Sequence, residues 1–306
     1  MSEGGRTYEQ AGVSLAAAEA VVDRLRAAVE STGATGFGAF AGLYPLDERR
    51  FLAASMDGVG SKLMLARRAG RLRSAGADLA AHCIDDVLCS GATPLFLLDY
   101  VAAARLDLDQ VAELVEGAAE VCREAGCALV GGETAELPGI YRDEELDFAA
   151  TCVGIVDRDE LIDGSRCIPG DVVIGFPSSG LHTNGFTLVR SLVGEDDFDP
   201  ELLLAPHRLY VHEVRELRAR ADVKALAHVT GGGILDNLSR VLPAGVAARI
   251  EWKSWPRPPV FEWLTEHGVD EDEQRRVFNC GIGMCAVVPR TDVAGHELLI
   301  GELVPA

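Results

Sequence analysis

Residues 126–141 read GCALVGGETAELPGIY, and this stretch decides how the first half of the chain is interpreted. The apolar run at residues 128–130 is typical of a buried strand, and Gly131, Gly132, Glu133 and Thr134 follow it. Ligands of α/β sheets collect at the carboxyl ends of strands. Glycine also lets backbone N–H groups approach phosphate oxygens closely. The stretch therefore predicts a strand that leads into a phosphate- or metal-binding turn.

Four more glycine-rich turns lie elsewhere in the chain. They are GFG at 36–38, DGVGSK at 57–62, SSGLHTNG at 178–185 and TGGG at 230–233. A carboxylate beside such a turn can hold Mg²⁺ against the same phosphates. A single glycine turn is usually only a turn, but five in one chain favour an enzyme that handles phosphate groups.

The common nucleotide and hydrolase motifs are absent from the sequence. There is no G-x-x-x-x-G-K-[ST], which excludes a P-loop protein, and no G-x-S-x-G elbow. Gly33, Gly36 and Gly38 follow a predicted helix rather than a strand, which excludes a Rossmann fingerprint.

Length and composition set further bounds. The chain has 306 residues and a net charge of −20, which predicts two domains and disfavours nucleic acid or an anionic membrane as partner. The eight cysteines form no C-x-x-C pair, so they are interpreted as small buried residues in a reducing compartment. We found no signal peptide and no membrane-length apolar run, so a cytoplasmic protein is expected.

Hydrophobic periodicity predicts a mixed α/β (α+β) fold. The predicted helices cover residues 14–30, 77–90, 107–125, 185–193, 206–220, 234–241 and 260–266. The predicted strands cover residues 51–55, 95–103, 127–130, 148–156, 172–176, 225–229, 247–252, 283–288 and 298–304. The pattern restarts near residue 168, so we predict an N-terminal domain at 1–168 and a C-terminal domain at 169–306.

Several side chains have both a functional and a purely structural interpretation. Asp57 can be a metal-binding carboxylate with Lys62 as an ammonium that neutralises phosphate charge. The alternative is that Asp57 is an ordinary turn residue and Lys62 a surface lysine. Asp85 and Asp86 lie within a helix, where a solvated face is the alternative to a site. His182, among polar residues just before a helix, suits an anion site. His228, next to the triple glycine, is a comparable candidate.

These motifs, in this order, resemble the phosphoribosylformylglycinamidine cyclo-ligase (aminoimidazole ribonucleotide synthetase) family. The resemblance runs nearly end to end, and GGETAELPG together with SSGLHTNG is its most specific part. Other matching stretches are YEQAGV at 8–13, GFGAF at 36–40, DGVGSKL at 57–63, CIDDVLCSGATPLFLLDY at 83–100, DFAATCVGIVDRDELIDG at 147–164, LLAPHRLYV at 203–211, AHVTGGGILDNLSRVLP at 227–243 and VFNCGIGM at 277–284.

The resemblance implies a homodimer whose N-terminal sheets combine into a barrel, each followed by an α/β C-terminal domain. It implies that ATP phosphorylates the formyl amide oxygen of formylglycinamidine ribonucleotide. The amidine nitrogen then attacks that carbon, and aminoimidazole ribonucleotide, ADP and phosphate are formed in purine biosynthesis. This chemistry depends on positioning and charge neutralisation.

The resemblance also implies roles for individual residues. Lys62, Asp86 and His182 are expected to be catalytic, and Asp57, Asp86 and Glu133 to hold Mg²⁺. The expected ATP-binding residues are Gly36, Phe37, Gly38, Asp57, Gly58, Lys62, Gly131, Gly132, Glu133 and Thr134. The expected substrate-binding residues are Ser178, Ser179, His182, Asn184, His228, Gly231, Gly232 and Gly233.

The chain departs from the family pattern in four places. Asp85 replaces the usual Asn before Asp86, and Met56 replaces the usual Thr before Asp57. A helix that normally precedes the last strand is reduced here to residues 290–295, and the chain is shorter around residues 194–200.

Related functions remain as alternatives. Selenophosphate synthetase, thiamine-monophosphate kinase and the synthetase half of formylglycinamide ribonucleotide amidotransferase share this architecture. No Cys precedes Cys83, which disfavours the first, and the kinase lacks the GGETAELPG and SSGLHTNG stretches. A non-catalytic dimeric nucleotide-binding relative is the alternative from a different class.

Overall fold

The structure is a computed structural model that describes residues 5–34, 37–194 and 198–306. The described chain contains two five-stranded sheets, one in each half. Gly36, one of the predicted ATP-binding residues, lies outside the described residues.

The first sheet has the strand order β1-β2-β5-β3-β4, in which only the β3/β4 pair is parallel. Its strands are β1 (Gly42–Pro45), β2 (Arg50–Gly58), β3 (Thr93–Ala103), β4 (Ala128–Glu136) and β5 (Leu146–Asp157). The helices of this half are α1 (Leu15–Glu30), α2 (Lys62–Arg68), α3 (Leu72–Leu88) and α4 (Leu108–Ala125). Ser14 caps α1 and Asp107 caps α4.

Helix α3 is the central element of the molecule. It packs on β2 and β5, carries α4 on its other side, and also contacts elements of the second half. Its backbone approaches α4 so closely that a Cβ on Gly76 would lie 1.9 Å from the Leu114 carbonyl oxygen. Every residue from Asp78 to Leu88 is buried. A helix that is covered on all sides must satisfy its polar side chains inside the protein.

The second sheet has the order β7-β9-β6-β10-β8, with antiparallel neighbours throughout. Its strands are β6 (Val172–Pro177), β7 (Ala225–His228), β8 (Val246–Ile250), β9 (Ile282–Val288) and β10 (Leu299–Pro305). The helices of this half are α5 (Phe186–Leu192), α6 (Pro200–Leu203), α7 (Val211–Arg218), α8 (Gly233–Ser239), α9 (Val260–Glu266) and α10 (Glu271–Val277).

The predicted elements are all present, and the structure adds several short ones. Strand β1 and helices α2, α6 and α10 have no counterpart in the sequence prediction. A 3₁₀ turn, Arg290–Asp292, joins β9 to β10 where the sequence leaves no room for a helix. All eight cysteines are buried and unpaired. Among the described residues, no helix combines the length and apolar character needed to cross a bilayer.

Candidate active site

One face of α3 carries four polar residues into the space between the two sheets. Asp78, His82, Asp85 and Asp86 follow the i, i+4, i+7, i+8 spacing that places residues on one side of a helix. All four are buried. This face meets the loop at 178–185 and the end of β7, and there the polar groups form two hydrogen-bonded networks.

The outer network consists of Asp57, His82, Asp86 and His228. His82 Nε2 donates to Asp57 Oδ2 at 2.8 Å, and His228 Nδ1 donates to Asp86 Oδ1 at 2.8 Å. The Ser55 hydroxyl donates to the second oxygen of Asp86 at 2.8 Å. Asp57 ends the network at the surface, with 39% of its side chain exposed. The two carboxylates are thus held by histidines whose ring centroids lie 4.8 Å apart.

Two pKa shifts follow from this arrangement. Burial alone would lower the pKa of His82, but the charge and hydrogen bond of Asp57 raise this pKa to about 9. Burial alone would raise the pKa of Asp57, but His82 lowers that pKa below its usual value. The pair is therefore an imidazolium and a carboxylate at neutral pH.

The inner network consists of Lys62, Asp78, Asp85, His182 and His207. Lys62 Nζ lies 2.6 Å from Asp78 Oδ2 and donates to the carbonyl oxygen of His182 at 2.7 Å. The Lys62 side chain is 1% exposed. The ammonium predicted to contact phosphate is thus enclosed, and a direct phosphate contact would require this ion pair to open.

His182 is held in an unusual conformation. Its φ is +59°, in the left-handed region that costs a non-glycine residue about 1–3 kcal/mol. Its ring stacks on His207 at 4.0 Å between centroids, and neither ring nitrogen has a hydrogen-bond partner in the protein. Burial and nearby histidine and lysine charges lower the pKa of His182 well below its usual value. Its imidazole is therefore neutral.

Asp85 points away from the outer network. One oxygen accepts a hydrogen bond from the Tyr210 backbone N–H at 3.0 Å, and the other lies 3.6 Å from His207 Nε2 without a hydrogen-bond partner. Burial raises the pKa of Asp85 well above its usual range. The solvated face considered for Asp85 and Asp86 is therefore wrong, because α3 is buried along this whole segment.

The predicted substrate residues lie on two loops beside the networks. Ser178 donates to the Gly180 carbonyl at 2.8 Å, and the hydroxyl of exposed Ser179 donates to the carbonyl of Pro206. Asn184 is half-buried, and its Oδ1 lies near Gly231.

The second loop needs its glycines for a steric reason. Gly232 has φ +97° and Gly233 φ +68°, and a Cβ on Gly233 would lie 1.9 Å from the Arg275 carbonyl. The turn into α8 thus explains Gly232 and Gly233, whereas a Cβ on Gly231 would have room.

An open pocket of about 720 Å³ joins residues predicted for ATP with one predicted for the substrate. Its lining includes Phe37, Gly38, Gly231, Asp236 of α8 and Arg240, which follows that helix. This volume is within the usual range for a small-molecule site.

The GGET segment lies apart from these carboxylates. Gly131, Gly132, Glu133 and Thr134 belong to β4, the exposed edge strand, instead of following a strand end. Strand order places β5 and β3 between β2 and β4, so Glu133 is roughly 14 Å from the Asp57 backbone at three strand spacings. Within one chain, Asp57 and Asp86 come together and Glu133 does not join them.

Sequence reasoning missed three residues of the networks, Asp78, His82 and His207. For Asp78 and His82 a signal was available, because both precede Asp86 at helical spacing in a helix otherwise rich in Ala, Leu and Ile. His207 lies in the non-helical segment before α7, and only the tertiary fold brings it to His228.

Comparisons with known proteins agree with this architecture. Family models described as AIR synthase related protein match at residues 38–156 for the N-terminal domain and 169–304 for the C-terminal domain. A phosphoribosylformylglycinamidine cyclo-ligase of Paraburkholderia phymatum is 44% identical, over 94% of this chain and 86% of that protein.

Solved structures show the same fold at low identity. Thiamine monophosphate kinase of Aquifex aeolicus has a TM-score of 0.64 and 16% identity, over 93% of each chain. PurL of T. maritima, complexed with FGAR, has a TM-score of 0.64 and 19% identity, over 89% of this chain and 45% of that one. The two domain matches and the 44% identity together show that the chain belongs to the phosphoribosylformylglycinamidine cyclo-ligase family.

Proposed function

We propose that this protein is an ATP-dependent cyclo-ligase that converts formylglycinamidine ribonucleotide to aminoimidazole ribonucleotide, with release of ADP and phosphate, in purine biosynthesis. The observation that carries the proposal is the 44% identity with a cyclo-ligase over 94% of the chain. The grouping of carboxylates, histidines and glycine turns around α3 supports it.

ATP is the proposed phosphoryl donor, and the pocket between Phe37–Gly38 and Gly231 is its proposed location. T. maritima PurL, which shares the fold, has been solved in complex with ATP. Arg240 lines the pocket in this chain and offers a guanidinium for phosphate oxygens. The other proposed nucleotide contacts are Gly36, Gly58 and the exposed residues 131–134.

Asp57 and Asp86 fit a magnesium ion. Carboxylate oxygens are the ligands that Mg²⁺ prefers, and the two acids hydrogen-bond to neighbouring histidines, with Asp57 reaching the surface. Both residues would hold the ion, which when bound neutralises charge on the transferred phosphoryl group. Glu133 is a third proposed carboxylate, and its place on an exposed edge is compatible with a role at an interface.

The chain's own residues position the reacting groups. In the proposed reaction a phosphoryl group moves from ATP to the formyl oxygen, the amidine nitrogen forms the new C–N bond, and phosphate leaves. Gly231 lines the proposed ATP pocket, and Asn184 lies beside Gly231. Ser178 and Ser179 fix the 178–185 loop. We assign Lys62 a positioning role, because its ammonium holds the His182 carbonyl from inside the protein. His182 and His228 remain proposed substrate-side groups.

The decisive assay measures ADP release. We expect Mg-dependent ADP formation with formylglycinamidine ribonucleotide, and none above background with ATP alone. Equal rates with thiamine monophosphate or selenide would show a related kinase or synthetase instead. Tight ATP binding without turnover would show a non-catalytic relative.

A homodimer formed through the first domain, residues 1–168, is also proposed. The outer face and edge of the first sheet expose Met56 (67% exposed), Leu98 and Val130, and unpaired sheet edges need covering. Met56→Glu places a charge on this face, and we expect it to shift the dimer towards monomer in light scattering. Leu108→Glu, on exposed α4, is the matched control and should leave the dimer intact. A wild-type monomer at micromolar concentration would contradict the proposal.

A further inference from the structure

Three buried histidines bring their ring nitrogens to one point behind the outer network. One ring nitrogen each from His182, His207 and His228 lie within 4.8 Å of one another. His207 Nε2 and His228 Nε2 are 3.1 Å apart, and Asp85 Oδ2 lies 3.6 Å from His207 Nε2. The three histidines come from the 178–185 loop, the segment before α7 and the end of β7.

The protein alone does not satisfy these groups. His207 and His228 can share one N–H···N hydrogen bond, but both ring nitrogens of His182 and Asp85 Oδ2 then lack partners. His182 and Asp85 are fully buried. An unsatisfied buried polar group costs about 1–3 kcal/mol. His182 therefore brings an unpartnered ring nitrogen to the point where His207 and His228 meet, and a ligand shared by the three rings would satisfy it.

The hydrogen bonds around the cluster orient its nitrogens inwards. His228 uses Nδ1 to donate to Asp86, which directs the lone pair of Nε2 towards His207. His207 Nδ1 faces the Thr183 hydroxyl at 3.3 Å, which leaves its Nε2 on the inner side. A carboxylate behind a metal-binding histidine is the usual outer partner in protein zinc sites.

We propose that His182, His207 and His228 form a zinc-type metal site, with the Asp85 carboxylate beside His207. Three imidazoles are a regular protein ligand set for tetrahedral Zn²⁺, with bonds of about 2.0–2.1 Å to nitrogen and a fourth position for a water molecule. That geometry requires ligand atoms about 3.3 Å apart. The observed separations are 3.1 Å between His207 Nε2 and His228 Nε2 and at most 4.8 Å to the His182 nitrogen, so closure around an ion falls on the His182 ring. One bound ion satisfies one of the two unpartnered ring nitrogens of His182.

The site is distinct from the magnesium site proposed at Asp57 and Asp86. Imidazole nitrogens select zinc-like ions over Mg²⁺, which prefers oxygen ligands. The zinc proposal does not rest on the proposed cyclo-ligase activity, because it concerns metal content alone.

The test is metal content and cobalt spectroscopy of the full-length protein. We expect one Zn²⁺ per chain by elemental analysis after growth with added zinc, retained through dialysis against a weak chelator. Replacement with Co²⁺ should give the strong visible absorption of tetrahedral cobalt. His207→Gln should abolish stoichiometric binding, and Asp85→Asn should weaken it by about 10-fold or more. His212→Ala, on the exposed side of α7, is the matched control and should bind like wild type.

Each result decides the proposal. Wild-type protein that holds no zinc and gives no tetrahedral cobalt spectrum overturns it. Binding that persists unchanged in His207→Gln places the metal elsewhere and also overturns it. If His207→Gln does not fold by circular dichroism, His182→Asn decides, because Asn tolerates the left-handed backbone at this position, and unchanged zinc content in that variant rejects the site.

Discussion

Asp85 and Asp86 are neighbours on the same helix, but they belong to two different chemical environments. Asp86 lies in the outer network, where Ser55 and His228 occupy both of its oxygens. Asp85 lies in the inner network, where one oxygen is bonded to the Tyr210 backbone and the other has no hydrogen-bond partner. Successive helical residues point about 100° apart. A single step along α3 therefore separates a carboxylate of the network that reaches the surface at Asp57 from one in the inner network.

The two networks therefore differ in what they stabilise. The outer network balances carboxylates against histidines and reaches the surface at Asp57. The inner network fixes the backbone. Lys62 donates to the carbonyl oxygen of His182, and Asp78 accepts a hydrogen bond from the backbone N–H of His207. Damage to the inner network should therefore appear mainly in stability, and damage to the outer network mainly in turnover.

The largest expected effect is on stability, from Lys62→Met. The substitution leaves the Asp78 carboxylate buried without its cation, which typically costs about 3–5 kcal/mol. Urea unfolding should show a loss of this size, while Lys253→Met, at an exposed lysine, should change little. The double variant Lys62→Met/Asp78→Asn should recover much of the loss, because it removes the unpaired charge and keeps an acceptor for the His207 N–H. A Lys62→Met protein as stable as wild type would contradict a buried ion pair.

Asp86→Asn should instead reduce turnover. It removes the negative charge that we assign to Mg²⁺ and that stabilises His228, and it keeps the size of the side chain. Loss of one preorganised electrostatic group commonly lowers kcat by about 100- to 1,000-fold. ADP release at several Mg²⁺ concentrations measures the effect, and the unfolding midpoint checks that the fold is retained. Activity within a few-fold of wild type would remove Asp86 from the metal site.

The sequence predicted the regular elements better than the site. Helices and strands with clear periodicity, such as Val260–Glu266, were found with their bounds. Strand β1 was missed because its four residues are too few to show a measurable hydrophobic period. Motif reasoning brought Asp57, Asp86, His182 and His228 to attention, and these four do lie in the two networks.

What the sequence could not show was burial and pairing across the fold. Lys62 reads as a solvent-facing ammonium beside a glycine turn, yet its partner Asp78 lies 16 positions on and is also buried. Glu133 reads as the residue after a short strand, but the strand continues past it to Glu136. Both differences arise from tertiary packing, which local patterns do not encode.

The smallest expected effect is that of Asp85→Asn, and it separates the two networks most sharply. Burial raises the pKa of Asp85 well above its usual range, which favours the neutral carboxyl form in the zinc-free protein. An amide has nearly the same shape and can still accept the Tyr210 N–H. We therefore expect ADP release within about threefold of wild type and a change in unfolding free energy below about 1 kcal/mol, measured after zinc removal. The resemblance to the family points the same way, because an amide is usual at this position. If Asp85→Asn is more damaging to turnover than Asp86→Asn, the reactive carboxylate has been assigned to the wrong member of the pair.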